Sequence, residues 1–257
     1  MQVVAIIPAR FGSTRFPGKA LANQTGKYLI QHVHEQVTSA RSVDRCIVAT
    51  DDERIMEAVR SFGGEVAMTR ADHASGTDRI AEVVHGLDGE PDDIILNVQG
   101  DEPEIEPAYL DRLIELMAAD PGCPSATLAC PFPPDADPRD PNCVKVVRNR
   151  RQMALYFSRA LIPHRSERGQ PAGEGEWLLH LGVYVYRRAF LLDFAGWPAS
   201  PLERTERLEQ LRVLENGYAM AVAIVPRACV GIDTPEDYER FVARRRARGC
   251  KAGVSPA

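Results

Sequence analysis

Residues 3–19 read VVAIIPARFGSTRFPGK, and the change of character at Pro8 decides how the chain is to be understood. Val3 to Ile7 form a continuous apolar run with no polar alternation, the pattern of a short strand covered on both faces. Immediately afterwards come three cations (Arg10, Arg15, Lys19), two glycines (Gly12, Gly18) and two hydroxyls (Ser13, Thr14). Glycines permit unusual backbone angles and close approach, and the cations and hydroxyls offer donors, so the loop suits a polyphosphate. It matches neither G-x-x-x-x-G-K-[ST] nor G-x-G-x-x-G, which removes the two common phosphate fingerprints. A solvated basic turn is the competing reading. The strand directly before the loop weighs against it, because ligands of open α/β sheets bind beyond the carboxyl ends of strands.

Outward from this stretch the chain alternates. YLIQHVHEQVTSA places Leu29, Ile30, Val33 and Val37 at helical spacing, RCIVAT reads as a strand, and DDERIMEAVRSFGG as a helix with an acidic first turn and terminal glycines. EVAM, DIILNVQ and AMAVAIVP read as further strands; SGTDRIAEVVHGL, capped by Ser75 or Thr77, and EPAYLDRLIELMAAD read as helices. This rhythm predicts an α/β fold: a mostly parallel, mixed sheet with helices on both faces. After the Pro-rich PGCPSATLACPFPPDADPRDPN, the segments CVKVVRN, MALYFS and HLGVYVY read as strands with little helix between them. Residues from about 140 to 186 are therefore expected to form a β-rich insertion in a single catalytic domain spanning 1–248. SPLERTERLEQLRVLENG reads as helix, a last helix follows GIDTPED, and 249–257 read as a frayed tail.

Composition narrows the function classes. The 257 residues are 44% hydrophobic, enough for a full core. With 31 Lys plus Arg against 36 Asp plus Glu, the net charge of −5 excludes the overall basic field of a non-specific nucleic-acid binder. Any anion site is local. No apolar run approaches the roughly 20 residues of a membrane span, and MQVVAII lacks a signal-peptide pattern, so the expected compartment is the cytoplasm. Cys46, Cys123, Cys130, Cys143, Cys229 and Cys250 are scattered without metal-ligand spacing and read as free thiols.

Two carboxylates stand where chemistry is expected. In ILNVQGDEPEI a buried strand ends in Gln99, Gly100, Asp101, Glu102 and Pro103, and a carboxylate there is placed to hold a hard cation such as Mg²⁺. In VGIDTPEDYERF, Asp233 follows an apolar strand and precedes a helix. Taken alone, the first is equally an acidic turn and the second an ordinary helix start. Arg159 and His180 lie in apolar strand-like segments where an unpaired charge is costly, so each is expected to have an anionic partner, either a ligand or a salt bridge within the protein.

Together, IIPARFGSTRFPGK, VATDD, MTRADHASGTDR, NVQGDEP, LYFSRALIP, HLGVYVYR, SPLERTERLEQLRVL and GIDTPEDYERF closely resemble the 3-deoxy-manno-octulosonate cytidylyltransferases. The likeness runs in family order from residue 3 to about 243. The related acylneuraminate enzymes share the plan, but their first loop reads more like RGGSKG. The resemblance implies a nucleotide-diphospho-sugar transferase fold, a homodimer, Mg²⁺, and CMP transfer from CTP to 3-deoxy-manno-octulosonate (Kdo) in lipopolysaccharide synthesis. It implies that Arg10, Ser13, Arg15 and Lys19 hold the triphosphate, with Arg15 and Lys19 also catalytic, and that Arg70, Ser75 and Gly76 surround the cytidine. It implies that Asp101 and Asp233 are catalytic metal ligands, and that Gln99, Arg159, His180, Tyr184, Glu209 and Gln210 surround the sugar. His164, where IPH replaces the more familiar IPW, and the loop 169–177 depart from the family and bear on sugar preference. Transfer to another acidic sugar (8-amino-Kdo or a sialic acid) and a non-catalytic nucleotide-binding role are the alternatives.

Overall fold

A computed structural model describes residues 1–13, 15–134, 136–164 and 177–252. The expected apolar strand is β1 (Val3–Ala9), and its lack of alternation has a direct cause. Val3, Ala5 and Ile7 enter one hydrophobic core while Val4 and Ile6 enter another on the opposite face. The alternation continues as α1 (Leu29–Thr38), β2 (Arg45–Thr50), α2 (Glu53–Ser61), β3 (Glu65–Met68), α3 (Gly76–His85), β4 (Ile94–Asn97), α4 (Pro107–Ala119) and β5 (Ser125–Pro131). Then follow β6 (Lys145–Arg148), β7 (Ala154–Ser158), β8 (Leu178–Arg187), α5 (Arg188–Ala195), α6 (Pro201–Glu206), α7 (Leu211–Glu215), β9 (Ala221–Ile224) and α8 (Pro235–Ala252).

The sheet runs β3-β2-β1-β4-β8-β5-β9, with β6 joined to β7 and to β8. It is mixed: β1 is parallel to β2 and β4, and β5 is parallel to β9, whereas β8 runs antiparallel to β4 and β5. Apolar faces of α1, α2 and α4 cover one side, and those of α3, α5 and α7 cover the other. Leu29 and Ile232 pack with Tyr238, Phe241 and Val242 of α8 in a smaller cluster. Among the described residues no helix is long and apolar enough to cross a membrane, and Cys46, Cys123, Cys130, Cys143 and Cys229 are free.

Four features differ from the sequence expectation. Within the span expected as an insertion, the β6–β7 hairpin alone among the described residues stands off the main strand order. Strand β8 is central, pairing by Asn97↔Tyr184 with β4 and by Thr127↔Tyr184 with β5. The expected helix from Ser200 to Gly217 is broken at Arg207, whose φ of 54° is left-handed. The break is imposed from outside: Glu206 accepts from Ser158 Oγ (2.6 Å) and the Arg159 amide (2.9 Å), and its carbonyl accepts from Arg159 Nε (2.8 Å). No strand precedes Asp233; the segment before it is irregular, and Ile232 N donates to the Asp101 carbonyl (2.9 Å). Helix α8 continues to Ala252, into the stretch expected as tail, and 253–257 lie outside the described residues.

Candidate active site

The chain leaves β1 for β2 on one side and returns from β3 to β4 on the other, so the carboxyl ends of β1 and β4 form the point where strand order reverses. There the two backbones nearly touch. A Cβ on Gly100 would lie 3.0 Å from the Pro8 carbonyl oxygen, which glycine alone avoids without displacement. Two adjoining hollows of about 270 and 240 Å³ share Pro8, Ala9, Arg10 and Gln99 as their floor.

The first hollow is built by the basic loop. Gly18, at φ +70°, donates its N–H to the Phe11 carbonyl (2.9 Å), and a Cβ there would collide with the Phe11 ring. This closure starts the short 3₁₀ turn Lys19–Leu21 and turns Lys19 into the cleft. Lys19 Nζ donates to Asp101 Oδ2 (2.6 Å), the Ile232 carbonyl (2.9 Å) and Asp233 Oδ1 (3.4 Å). Arg15 pairs with Asp233 Oδ2 at 3.1 Å, a contact exposed enough to contribute little. Arg10 is exposed and makes no ion pair among the described residues, and Ser13 completes the lining. Two carboxylates 132 positions apart in sequence thus converge on one ammonium group, and their hard anionic oxygens fit a divalent cation. Behind them lies Glu102, which the sequence places at the same strand end without a role of its own. Burial, with Asp101 and Asp233 adding to it, pushes its carboxyl up to about 8, and its buried Oε2 has no partner.

The second hollow opens at the N-terminus of α3. Ser75 caps that helix in a reciprocal pair with Asp78, and a Cβ on Gly76 would touch the Pro8 ring at 3.4 Å. His73 and the buried Arg79, held by Asp51 (2.8 Å), line it as well, roles for which no local sequence signal exists. Arg70 does not join Ser75 and Gly76 here. Its side chain is 70% exposed and lies near Asp72 and Glu82 in a neighbouring groove. The reason is local: the Glu82 carboxylate accepts from the Arg70 amide and pairs with His73, drawing that segment over α3.

Four of the residues implied for the sugar lie on β8 and in the break between α6 and α7. Glu209, in the break between α6 and α7, accepts from Thr77 Oγ1 (2.5 Å) at the start of α3, and burial raises its pKa. Glu209 also acts electrostatically on Tyr184 of β8, whose hydroxyl is pushed far up, mainly by burial. His180 packs 5.5 Å from Tyr184 and edge-on to Phe157 (4.9 Å). Neighbouring Gln210 is 4% exposed with Nε2 unpartnered, an orphan donor of the kind that ligands satisfy.

Two expectations about charge need correction. His180 has no anionic partner: it contacts Thr127 Oγ1 (3.0 Å), and burial lowers its pKa to about 3, so the ring is neutral and needs no counter-ion. Among the described residues Arg159 pairs with no carboxylate through its guanidinium, which donates to the carbonyls of Glu206 (2.8 Å), Pro141 (2.9 Å) and Arg207 (3.4 Å). The end of α6 and the segment before β6 supply enough carbonyls to solvate the charge. His164 is exposed, and the loop 169–177 lies, up to residue 176, outside the described residues.

With this geometry in hand, comparison with known proteins is informative. Residues 4–224 match the cytidylyltransferase family model. A 3-deoxy-manno-octulosonate cytidylyltransferase from Syntrophotalea carbinolica is 52% identical over 252 residues, covering 96% of this chain and 99% of the relative. Another, from Syntrophobacter fumaroxidans, is 50% identical over 242 residues, covering 94% and 96%. Among solved structures, CMP:2-keto-3-deoxy-manno-octonic acid synthetase complexed with CTP superposes with a TM-score of 0.89 at 42% identity, covering 96% of this chain and 100% of the other. The architecture is thus the nucleotide-diphospho-sugar transferase fold.

Proposed function

The chain belongs to the 3-deoxy-manno-octulosonate cytidylyltransferases, and from that premise we propose that it transfers CMP from CTP to the anomeric hydroxyl of Kdo, releasing pyrophosphate. The observation that carries this reading is the convergence of Asp101 and Asp233 on Lys19 beside a cationic loop at the strand-order reversal.

Arg10, Arg15, Lys19 and Ser13 receive the triphosphate, and the nucleoside lies toward Ser75 and Gly76 at the capped N-terminus of α3. Arg70, pointing into the next groove, takes part only by reorienting. The sugar occupies the side bounded by Gln99, His180, Tyr184, Glu209 and Gln210. Of the five guanidinium donors of Arg159, three are spent on carbonyls, which leaves two for the sugar carboxylate.

The sugar oxygen attacks the α-phosphorus in line, the bond to the pyrophosphate oxygen breaks on the opposite side, and the hydroxyl proton is released. Positioning and charge neutralisation supply most of the acceleration in such transfers. Lys19 serves twice. Without nucleotide it stands as counter-ion between Asp101 and Asp233; drawn to the triphosphate, it frees both carboxylates and offsets the charge growing on the leaving group. Asp101 and Asp233 would then hold Mg²⁺, which when bound supplies charge neutralisation and polarisation at the phosphate. Burial lowers the His180 pKa to about 3, which makes the ring too weak a base to take the sugar's hydroxyl proton and leaves it a role in binding.

The reaction belongs to the cytoplasmic activation of Kdo for lipopolysaccharide. A homodimer is supported by Leu155, 60% exposed on the outer strand β7. The test is pyrophosphate release from CTP and Mg²⁺ with Kdo, 8-amino-Kdo and N-acetylneuraminate. Kdo is expected to be the preferred acceptor. Preferred turnover of either rival sugar would overturn the substrate assignment, and no release with any of them would favour a binding protein.

A further inference from the structure

We propose that Thr127, in the middle of β5, is a positioning residue that fixes His180 as its neutral Nε2–H tautomer and so makes Nδ1 a permanent hydrogen-bond acceptor for a hydroxyl of the acidic sugar. The proposal rests on the reading of His180 as sugar-facing, and adds to it which nitrogen acts, in what form, and what decides this.

The local fold supplies the cause. Between β5 and β8 the register slips: Thr127 pairs with Tyr184, but Leu128 pairs with Leu181, leaving Gly182 and Val183 unmatched. Such a bulge interrupts the ladder and re-aims side chains. The Thr127 hydroxyl, fully buried, fills the gap, lying 2.8 Å from the Val183 carbonyl oxygen and 3.2 Å from that of Leu181.

A hydroxyl has one hydrogen to give. Carbonyls have none, and two oxygens do not sit 2.8 Å apart without a proton between them. The hydrogen of Thr127 therefore belongs to the Val183 carbonyl, shared with that of Leu181. What remains on Oγ1 is a lone pair, and it faces His180 Nε2 at 3.0 Å. That nitrogen must carry the hydrogen.

In a neutral imidazole the other nitrogen is then an acceptor. Burial favours the neutral form, lowering the ring's pKa to about 3. Nδ1 has no hydrogen-bond partner among the described residues. Phe157 and Tyr184 fix the ring plane from two sides, so the acceptor is held in orientation as well as in chemical form. Tyr184 in turn is coupled to Glu209, which ties the ring to the other residues assigned to the sugar. A hydroxyl-rich ligand meets here an acceptor that cannot become a donor, which discriminates a sugar hydroxyl from a carboxylate or carbonyl at the same point.

The test compares Thr127→Val, which keeps the shape and removes the hydroxyl, with Thr127→Ser, which restores it. In ¹⁵N-labelled wild-type protein the His180 ring should show the Nε2–H pattern from pH 8 down to pH 5, without substrate. Thr127→Val should mix or reverse the tautomers and raise the KM for Kdo about five- to tenfold, the scale of one lost hydrogen bond, with the KM for CTP unchanged. Thr127→Ser should return both readouts toward wild type. An Nδ1–H pattern in the wild type overturns the proposal, and so does a folded Thr127→Val with unchanged KM for Kdo. Should Thr127→Val not fold, the wild-type and Thr127→Ser spectra decide alone. Failure of the wild type to use Kdo would sink the parent reading of the sugar instead, and the ring spectrum, which needs no substrate, would still decide the tautomer.

Discussion

On the loop side of the cleft the cations lean on carboxylates, Lys19 on Asp101 and Asp233, and Arg15 on Asp233, whereas on the β7 side they are held by backbone carbonyls. Arg159 has three such carbonyls, and buried Lys145 has those of Asp140 (3.1 Å), Cys143 (2.6 Å) and Arg159 (2.7 Å). A carboxylate can exchange an ammonium for a metal while the ammonium moves to a phosphate, and every charge stays compensated. A carbonyl that loses its cation has no mobile substitute, and the segments it joined come apart. The loop side is therefore chemically suited to exchanging cations, whereas the β7 side is held in one shape.

The contrast can be broken most severely at the exchange site. Asp101→Asn or Asp233→Asn should reduce turnover roughly a hundredfold or more at saturating Mg²⁺, since a metal supplies several kcal/mol to such a transition state. Circular dichroism should show an unchanged fold. A folded variant with near wild-type turnover would remove that carboxylate from the metal site.

A paired comparison sharpens it further. Lys19→Ala should weaken CTP binding by about 1.5–3 kcal/mol, the value of a charge-assisted contact, with little change in melting temperature. Arg159→Ala should do the reverse to the fold, costing about 2–4 kcal/mol through lost hydrogen bonds to three carbonyls. The Michaelis constant for Kdo should rise while that for CTP stays. Equal melting temperatures for the two variants would erase the proposed difference between the halves.

The smallest effect is on pH dependence. Burial lowers the pKa of His180 to about 3, and burial followed by the Arg245 charge lowers that of His32 to about 4. Their unfolded values lie near 6.5, so below that pH the unfolded chain binds protons that the folded chain refuses. Stability is fully present above pH 6.5 and falls as the pH drops, by roughly 1.4 kcal/mol per unit for each ring. Urea midpoints between pH 5 and 6 should therefore show a shallower slope in His180→Asn than in wild type, and an unaltered one in Lys19→Ala. Parallel slopes in His180→Asn and wild type would mean that the ring is charged or exposed.

Much of the first half was legible because its signals are local. The apolar run of β1, the cap at Ser75 and the glycines at 18 and 100 each express a constraint satisfied within a few residues or by a neighbouring strand. The loop's cations and the acidic end of β4 are adjacent to those strands, so locating the strands located the charges. The second half obeyed distant partners. The helix break at Arg207 depends on Ser158 and Arg159, and the neutrality of His180 on burial by β5 and β7, while in the first half the exposure of Arg70 depends on Glu82 of α3.

By itself, then, the sequence determined the alternating architecture, the anion-binding loop and the family, because hydrophobic period, turn chemistry and contiguous motifs act over short chain distances. Only the tertiary structure decided that Asp101 and Asp233 meet on one ammonium, that Arg159 is satisfied by carbonyls, and that a threonine in a sheet bulge faces His180. Those outcomes turn on which groups share a buried space and which single hydrogen each can give, and residue order alone does not specify that geometry.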